Sequence, residues 1–327
     1  MVARMVKASD VARAVGTSRS TVSRAFNPDA YVKPELRMQI MTEAERMGYQ
    51  PNAFARALIS RRSPVVGIVL HDFSNPFHAE LYGELTRQMH AAGLTPLTAQ
   101  LGHDRNVADA LSLFRKYQAE KVVLTSFAIN EDVMDACLNS GLEVLLLNRA
   151  DSEQRTPAVC ADLTQGGHLA AERVTRAGRS RVAILDGLAG SWTADTRAQG
   201  YLQGLAAHGL DPVLRIAGDY SYDAGKAAAE AVRGARADAV LCANDLCAFG
   251  MMDGLRELGL SIPDDIAIVG FDDVPMAAWS AYSLTTVRLP VMKMVSRFVE
   301  MILGTDEEAA AAEVVLVPCR LVERDTA

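Results

Sequence analysis

Two hydrophobic rhythms divide the chain. Through about residue 60, apolar side chains recur three or four positions apart, the spacing of one helix face; beyond Pro64, short unbroken apolar runs alternate with amphipathic stretches. In the first part, ASDVARAV (8–15) sets Val11, Ala14 and Val15 on one side and predicts a helix. Gly16 follows and can take the left-handed conformation of a sharp turn. Ser18 as N-cap opens a second helix, RSTVSRAF, which runs to Asn27 and is stopped by Pro28. Pro34 opens a third, ELRMQIMTEAERM, ending at Gly48 with a stripe of Leu36, Ile40, Ala44 and Met47. Ala12 is small where the second helix crosses the first. Two short helices on a tight turn, then a third, predict a helix-turn-helix over residues 1–48.

The second helix carries Thr17, Ser18, Arg19, Ser20, Thr21, Ser23 and Arg24 at and after its start. Short hydroxyls and guanidinium groups suit a helix entering the major groove, where arginine reads guanine bidentately and hydroxyls bind phosphates or base edges. Any three-helix bundle shares this spacing, and charge supplies a second signal. Residues 1–62 hold eleven basic and five acidic residues, a net +6; the rest holds 22 and 35, a net −13. A basic head on an acidic body is the asymmetry of a protein whose head meets a polyanion, although a solvated basic surface gives the same count.

Residues 49–63 form a predicted hinge. Pro51 and Asn52 start a helix too short to be stable alone, with Phe54, Ala55 and Leu58 apolar. It either packs on the body or folds on DNA, with Leu58 wedged in the minor groove and Arg56, Arg61 and Arg62 near phosphates.

From residue 64 to 327 the runs VVGIVL (65–70), TPLTA (95–99), KVVLT (121–125), EVLLL (143–147), RVAIL (181–185), AVLCA (239–243) and IAIVG (266–270) read as buried parallel strands between helices. About ten strands exceed one comfortable sheet. The expected class is therefore α/β: an all-α head plus two doubly wound parallel-sheet subdomains. Ligands bind such folds beyond the carboxyl ends of the strands. Those ends carry HDFSNPFH (71–78), NR (148–149), AD (161–162), DGLAGSWTADTR (186–197), GDYSY (218–222), Ala243–Asp245 and Gly270–Asp273. Rings of Phe77, Trp192 or Tyr220 can pack on a sugar-like ligand while Asp, Asn and Arg bond its hydroxyls. Asp162 and Asn244 can equally cap the helices that follow them.

The rest of the composition narrows the class. Half of the 327 residues are hydrophobic, enough for real cores, yet no run reaches the ~18 apolar residues of a membrane span. MVARMVKASD lacks a signal-peptide core, and five scattered cysteines argue against a disulfide framework, so a cytoplasmic protein is expected. The six histidines form no close pair and Cys242 and Cys247 have no partner ligands, so neither a metal nor a cofactor is expected. No G-x-S-x-G or P-loop is present, and Asp272 and Asp273, adjacent in sequence, are poorly placed to share one catalytic site, so an enzyme is disfavoured.

Taken in series, DVARAVGTSRSTVSRAFN (10–27), GYQPNAFARAL (48–58), SNPFHAEL (74–81), CANDLCAFG (242–250), IPDDIAIVGFDDVPMA (262–277) and LTTVRLP (284–290) closely resemble the lactose/galactose-repressor (LacI/GalR) family of bacterial transcription regulators over nearly the whole chain. The resemblance implies base reading by Arg19, Ser20 and Arg24 and a minor-groove wedge at Leu58. It implies effector contacts at Arg197, Asp272 and Asn244, an aromatic lid at Tyr220, and Phe77 and His78 beside the ligand. Thr193, Asp162 and Arg149 match further pocket positions. Lys7 and Ser9 depart from the family pattern before the first helix, and Leu289 stands where sugar-responsive members often carry Gln. The chain ends at VERDTA without a leucine heptad, which implies a homodimer rather than a tetramer. Lobe one is expected over about 64–161 plus 290–317, and lobe two over 162–289 plus 318–327.

The function so implied is a repressor of a pseudo-palindromic double-stranded operator, controlled by a sugar or sugar-acid effector held between the lobes. A sugar-binding transport protein shares the two-lobed body, but calls for a signal peptide and no basic head.

Overall fold

The computed structural model describes residues 6–26, 30–49, 63–70, 75–100, 106–125, 131–151, 153–304 and 314–327. Asn52, Arg56 and Leu58 lie outside them. The chain divides into two compact units, Met1–Pro64 and Val65–Ala327.

The head consists of helices Ala8–Val15, Arg19–Ala25 and Pro34–Met47. Gly16 adopts φ 71° and returns its N–H to the Ala12 carbonyl, which ends the first helix sharply. The core is Val11, Ala12, Val22, Ala25, Ile40 and Ala44, all buried. Ala14 is exposed, contrary to the face predicted for it: the buried side runs through Val11 and Ala12 instead. Leu36 and Met47 lie half-buried at the edges of the third helix's stripe. Arg37 adds a tie that apolar spacing does not show. Its Nη1 donates to Ala25 O and its Nη2 to Ala30 O, both at 2.6 Å, so the end of the second helix is clamped to the third.

The body has twelve strands among the described residues: β1 (Val65–Leu70), β2 (Thr95–Gln100), β3 (Lys121–Leu124), β4 (Glu143–Leu147), β5 (Ala158–Ala161), β6 (Val182–Leu185), β7 (Leu214–Ile216), β8 (Ala239–Cys242), β9 (Ala267–Asp272), β10 (Thr285–Arg288), β11 (Val314–Val317) and β12 (Arg320–Val322). They form two six-stranded sheets, ordered β11-β5-β4-β3-β1-β2 and β12-β10-β9-β8-β6-β7. Only β12 runs antiparallel, against β10. β1 and β9 are buried along their whole length, which is why VVGIVL and the AIVGF that precedes Asp272 are apolar without alternation. Each sheet with its helices forms a lobe.

Both sheets contain the doubly wound order 2-1-3-4-5, as β2-β1-β3-β4-β5 and β7-β6-β8-β9-β10. In this order the connections after the first and third strands leave on opposite faces and open a crevice at the carboxyl ends. In each lobe that crevice lies beside β1 and β3, or β6 and β8.

Lobe two is held by unusually close helix crossings. A Cβ on Gly250, in helix Asp245–Glu257, would lie 1.9 Å from the Tyr222 carbonyl oxygen; one on Gly225, in helix Tyr222–Gly234, would lie 2.0 Å from that of Cys247. Helices Leu163–Arg176 and Trp192–Ala206 meet likewise, a Cβ on Gly200 falling 2.4 Å from Thr164 O. The crossings fix the loops that follow β6 and β8, and with them the side chains of the crevice. Cys242 and Cys247 are fully buried at the end of β8 and on the helix after it, where they act as small apolar groups.

Candidate functional site

In the head, Ser18 caps the second helix by accepting from the Thr21 N–H at 3.1 Å. Its hydroxyl also meets Ser20 Oγ and Thr21 Oγ1, each at 2.8 Å, so Ser18 is engaged within the helix start. Arg19, Ser20 and Arg24 are exposed, while Thr17, Thr21 and Ser23 are half-buried. Val22 and Ala25 face the core, leaving the polar side of this helix outward. The side chains of Arg19 and Arg24 are exposed and make no hydrogen bond or ion pair among the described residues, which leaves both guanidinium forks available.

In the body, one cavity of about 340 Å3 opens between the lobes at the strand carboxyl ends. Seven of the ten residues expected at an effector site line it: Phe77, His78, Thr193, Arg197, Tyr220, Asn244 and Asp272. Lobe one contributes Asn75 after β1, Thr125 after β3 and Asn148 after β4. Lobe two contributes Thr193 and Arg197 after β6, Asp219 to Tyr222 after β7, Asn244 after β8 and Asp272 at the end of β9.

The other three residues lie elsewhere. Asp162 caps helix Leu163–Arg176, its carboxylate accepting from Gln165 N–H at 2.9 Å. Trp192 is half-buried and packs against the apolar clusters of both lobes. Arg149 lies outside the cavity lining, with burial drawing its pKa below the usual arginine value and Asp151 opposing that.

Asn244 does both jobs its position allows. Its Oδ1 caps the following helix at Cys247 N–H, 2.9 Å, and its Nδ2 donates to Tyr220 O at 3.1 Å. That bond helps hold Tyr220 at φ 69°, with its ring over Gly187, where a Cβ would come within 2.4 Å of Cζ. The Tyr220 hydroxyl meets Thr193 Oγ1 at 3.3 Å. Thr125 is engaged with Tyr82 Oη at 2.8 Å and with Val69 O at 3.2 Å.

Arg197 is 5% exposed, and its guanidinium carbon sits 4.1 Å from the Phe271 ring centroid. One Nη donates to Ala243 O; Nε is buried without a partner among the described residues. Across the cavity, Asn148 Oδ1 is likewise buried and unpartnered among them. Asp272 accepts from Asn75 Nδ2 at 3.2 Å, a bond that joins the two lobes directly. It forms no ion pair with Arg197 within 4 Å among the described residues. Asp219, at the mouth, is held below the usual carboxylate range by hydrogen bonds from Ser221.

Burial pushes the Asp272 pKa up to about 6, against the pull of Arg197 and the Asn75 bond. A folded pKa above the unfolded one means a stabilising contribution that is complete below about 4 and lost as pH rises through about 6. Asp272→Asn should reduce the fall in stability over that window and leave the ligand-free protein more stable at pH 8 by roughly 1–3 kcal/mol. Urea unfolding at several pH values measures this; an unchanged pH profile refutes it.

Asn75, Asn148, Asp219, Ser221 and Tyr222 fall in strand-end segments the sequence marks, but nothing in their types singles them out. Thr125 only closes the apolar run KVVLT, and Leu246, inside CANDLCAFG, is of a type that marks no polar contact. Among the described residues no cluster of His, Cys, Asp and Glu could hold a metal ion, and no helix is long and apolar enough to cross a membrane.

A helix-turn-helix head and a two-lobed body with a cleft at its strand ends define a DNA-binding protein with a small-molecule site. Residues 8–52 match the sequence model of the bacterial regulatory proteins of the lacI family, and residues 167–327 that of the periplasmic binding protein-like domain. The chain belongs to the lacI family and is a DNA-binding transcription regulator, not an enzyme. Catabolite control protein A of Priestia megaterium is 28% identical over 97% of this chain and 98% of its own. The ribose operon repressor of Bacillus subtilis is 28% identical over 98% of both. Among solved structures, a lac repressor dimer bound to operator and the anti-inducer ONPF superposes with TM-score 0.86, at 22% identity over 99% of both chains. A complex of the transcriptional regulator CelR with cellobiose gives TM-score 0.73, at 25% identity over 98% of this chain and all of the other.

Proposed function

We propose that this regulator is a homodimeric repressor whose hold on a pseudo-palindromic operator is set by a small neutral sugar in the interlobe cavity. The observation that carries the reading is the unmet bonding of Arg197 and Asn148 on opposite walls, with Asp272 between the lobes. A buried donor and a buried acceptor both call for a ligand that can accept and donate. A ring bearing several hydroxyls does both. Among the described residues, two carboxylates, Asp219 and Asp272, line the cavity against the one guanidinium of Arg197, which favours a neutral sugar over a sugar acid. The cellobiose complex of CelR supports a sugar, and the ribose operon repressor supports repression.

One helix-turn-helix per chain suits one half-site per subunit, so a dimer matches a two-fold operator. Closing the lobes on a ligand changes operator affinity only as far as the ligand prefers one lobe arrangement. Selection from random duplexes should return a symmetric site. Arg19→Ala or Arg24→Ala should relax base choice at one position per half-site, costing about 1–3 kcal/mol for each bidentate arginine–base pairing removed. Recovery of no symmetric site would overturn the proposal.

A further inference from the structure

Asp272 and Asp273 are consecutive non-glycine residues with positive φ, 116° and 60°. L-residues seldom adopt either conformation, and two in succession persist only where the surroundings over-determine them. Three ties do so here. Asn75 Nδ2 holds the Asp272 carboxylate. Val274 N–H donates to Asp245 Oδ2 at 2.8 Å, and Asp245 Oδ1 accepts from Thr286 Oγ1 at 2.5 Å. The third tie is the Asp273 side chain, only 1% exposed, which takes one arginine on each oxygen.

Those arginines come from separate segments. Arg324 Nη2 donates to Asp273 Oδ1 at 2.6 Å, and Arg324 is itself anchored by Nη1 to Leu284 O at 2.6 Å. Arg288, the last residue of β10, donates to Asp273 Oδ2 although its neighbour in the sheet register is Asp272. The chain therefore turns so that the two carboxylates part: Asp273 goes to the arginines and Asp272 to the cavity.

We infer that Asp273 is a positioning residue: clamped between Arg288 and Arg324, it holds the left-handed turn that aims the Asp272 carboxylate into the interlobe cavity. Without the clamp, residues 272 and 273 relax toward ordinary backbone angles and the Asp272 side chain leaves its buried seat for water. The inference rests on the cavity being the effector site, but its test needs no effector.

The test is carboxyl-carbon NMR titration of Asp272 in the full, ligand-free chain. In the parent, burial places its midpoint at about 6. In Asp273→Ala, release into water should bring it down to the ordinary aspartate value of about 4. Arg324→Met keeps Asp273 with one partner and should give a smaller shift in the same direction; it decides the matter if Asp273→Ala does not fold. A folded Asp273→Ala, or a folded Arg324→Met, whose Asp272 titrates as in the parent overturns the inference. A shifted midpoint with undiminished sugar binding would instead upset the effector reading of Asp272 and leave the positioning role standing.

Discussion

Arg197→Ala is expected to lower the affinity for a neutral sugar that binds the parent by about 30-fold to several thousand-fold, or roughly 2–5 kcal/mol. The side chain is almost wholly buried, rests on the Phe271 ring and spends one donor on the backbone, so its remaining N–H groups are placed for a ligand. Its loss leaves the ligand's oxygens desolvated and unbonded. Asp272→Ala should act similarly, removing the acceptor that Asn75 shares from the opposite lobe. Calorimetry with ribose, galactose and cellobiose, beside galacturonate and glucuronate, checks both variants and the preference for neutral sugars. Operator affinity without sugar should stay within a few-fold of the parent. If both variants bind the sugar as tightly as the parent, or if the acids bind more tightly than the neutral sugars, the reading of the cavity is wrong.

Gly250→Ala should destabilise the body by at least about 3 kcal/mol, lowering its melting temperature by roughly 6–12 °C. The new methyl would meet the Tyr222 carbonyl at 1.9 Å and Lys226 N at 2.8 Å, so backbone faces backbone and no side chain can swing aside. Helices Tyr222–Gly234 and Asp245–Glu257 must part, which also disturbs Asn244 and its bond to Tyr220. Gly234 is the control. It ends the first of these helices, and a Cβ there would have nothing within 4 Å, so alanine should be neutral or slightly stabilising. Differential scanning calorimetry on the full chain separates the two; equal melting temperatures for Gly250→Ala and the parent would show that the helices yield at no cost.

The fold class was legible because the decisive signals are local. VVGIVL, the VLLL after Glu143 and IAIVG are unbroken apolar runs of strand length, the pattern of a strand covered on both faces. Gly16, Ser18, Pro34 and Gly48 mark the ends of the head's helices through backbone preferences that act within one turn. The short strands β7 and β12, three residues each, were not legible, since three residues carry no periodicity. The cavity was partly legible: position after a strand marked Asn75, Asn148 and Asp219, but not which strand-end residues converge. Asp162 and Asn244 both follow strands and both cap helices, yet only Asn244 also lines the cavity. Convergence depends on how two sheets face each other, and no short stretch of sequence encodes that. The clamp on Asp273 was invisible for the same reason, its partners lying 15 and 51 residues further on.

The order in which the strands occur along the chain bears on how the protein is made. β11 (Val314–Val317) is one of the two edge strands of the first sheet and β12 (Arg320–Val322) one of the two of the other, although β1–β5 of the first sheet precede all of the second. Helix Val291–Leu303, whose buried face packs against lobe one, also follows β10 of lobe two. During synthesis from the N-terminus, lobe one has most of its strands early but waits, without one helix and that edge strand, while lobe two is translated. Both then close within the same few residues of chain. The lobes are thus finished together, only once β11 and β12 have both been made, and a ribosome stalled before residue 314 carries two incomplete sheets, each missing an edge strand and open to association there.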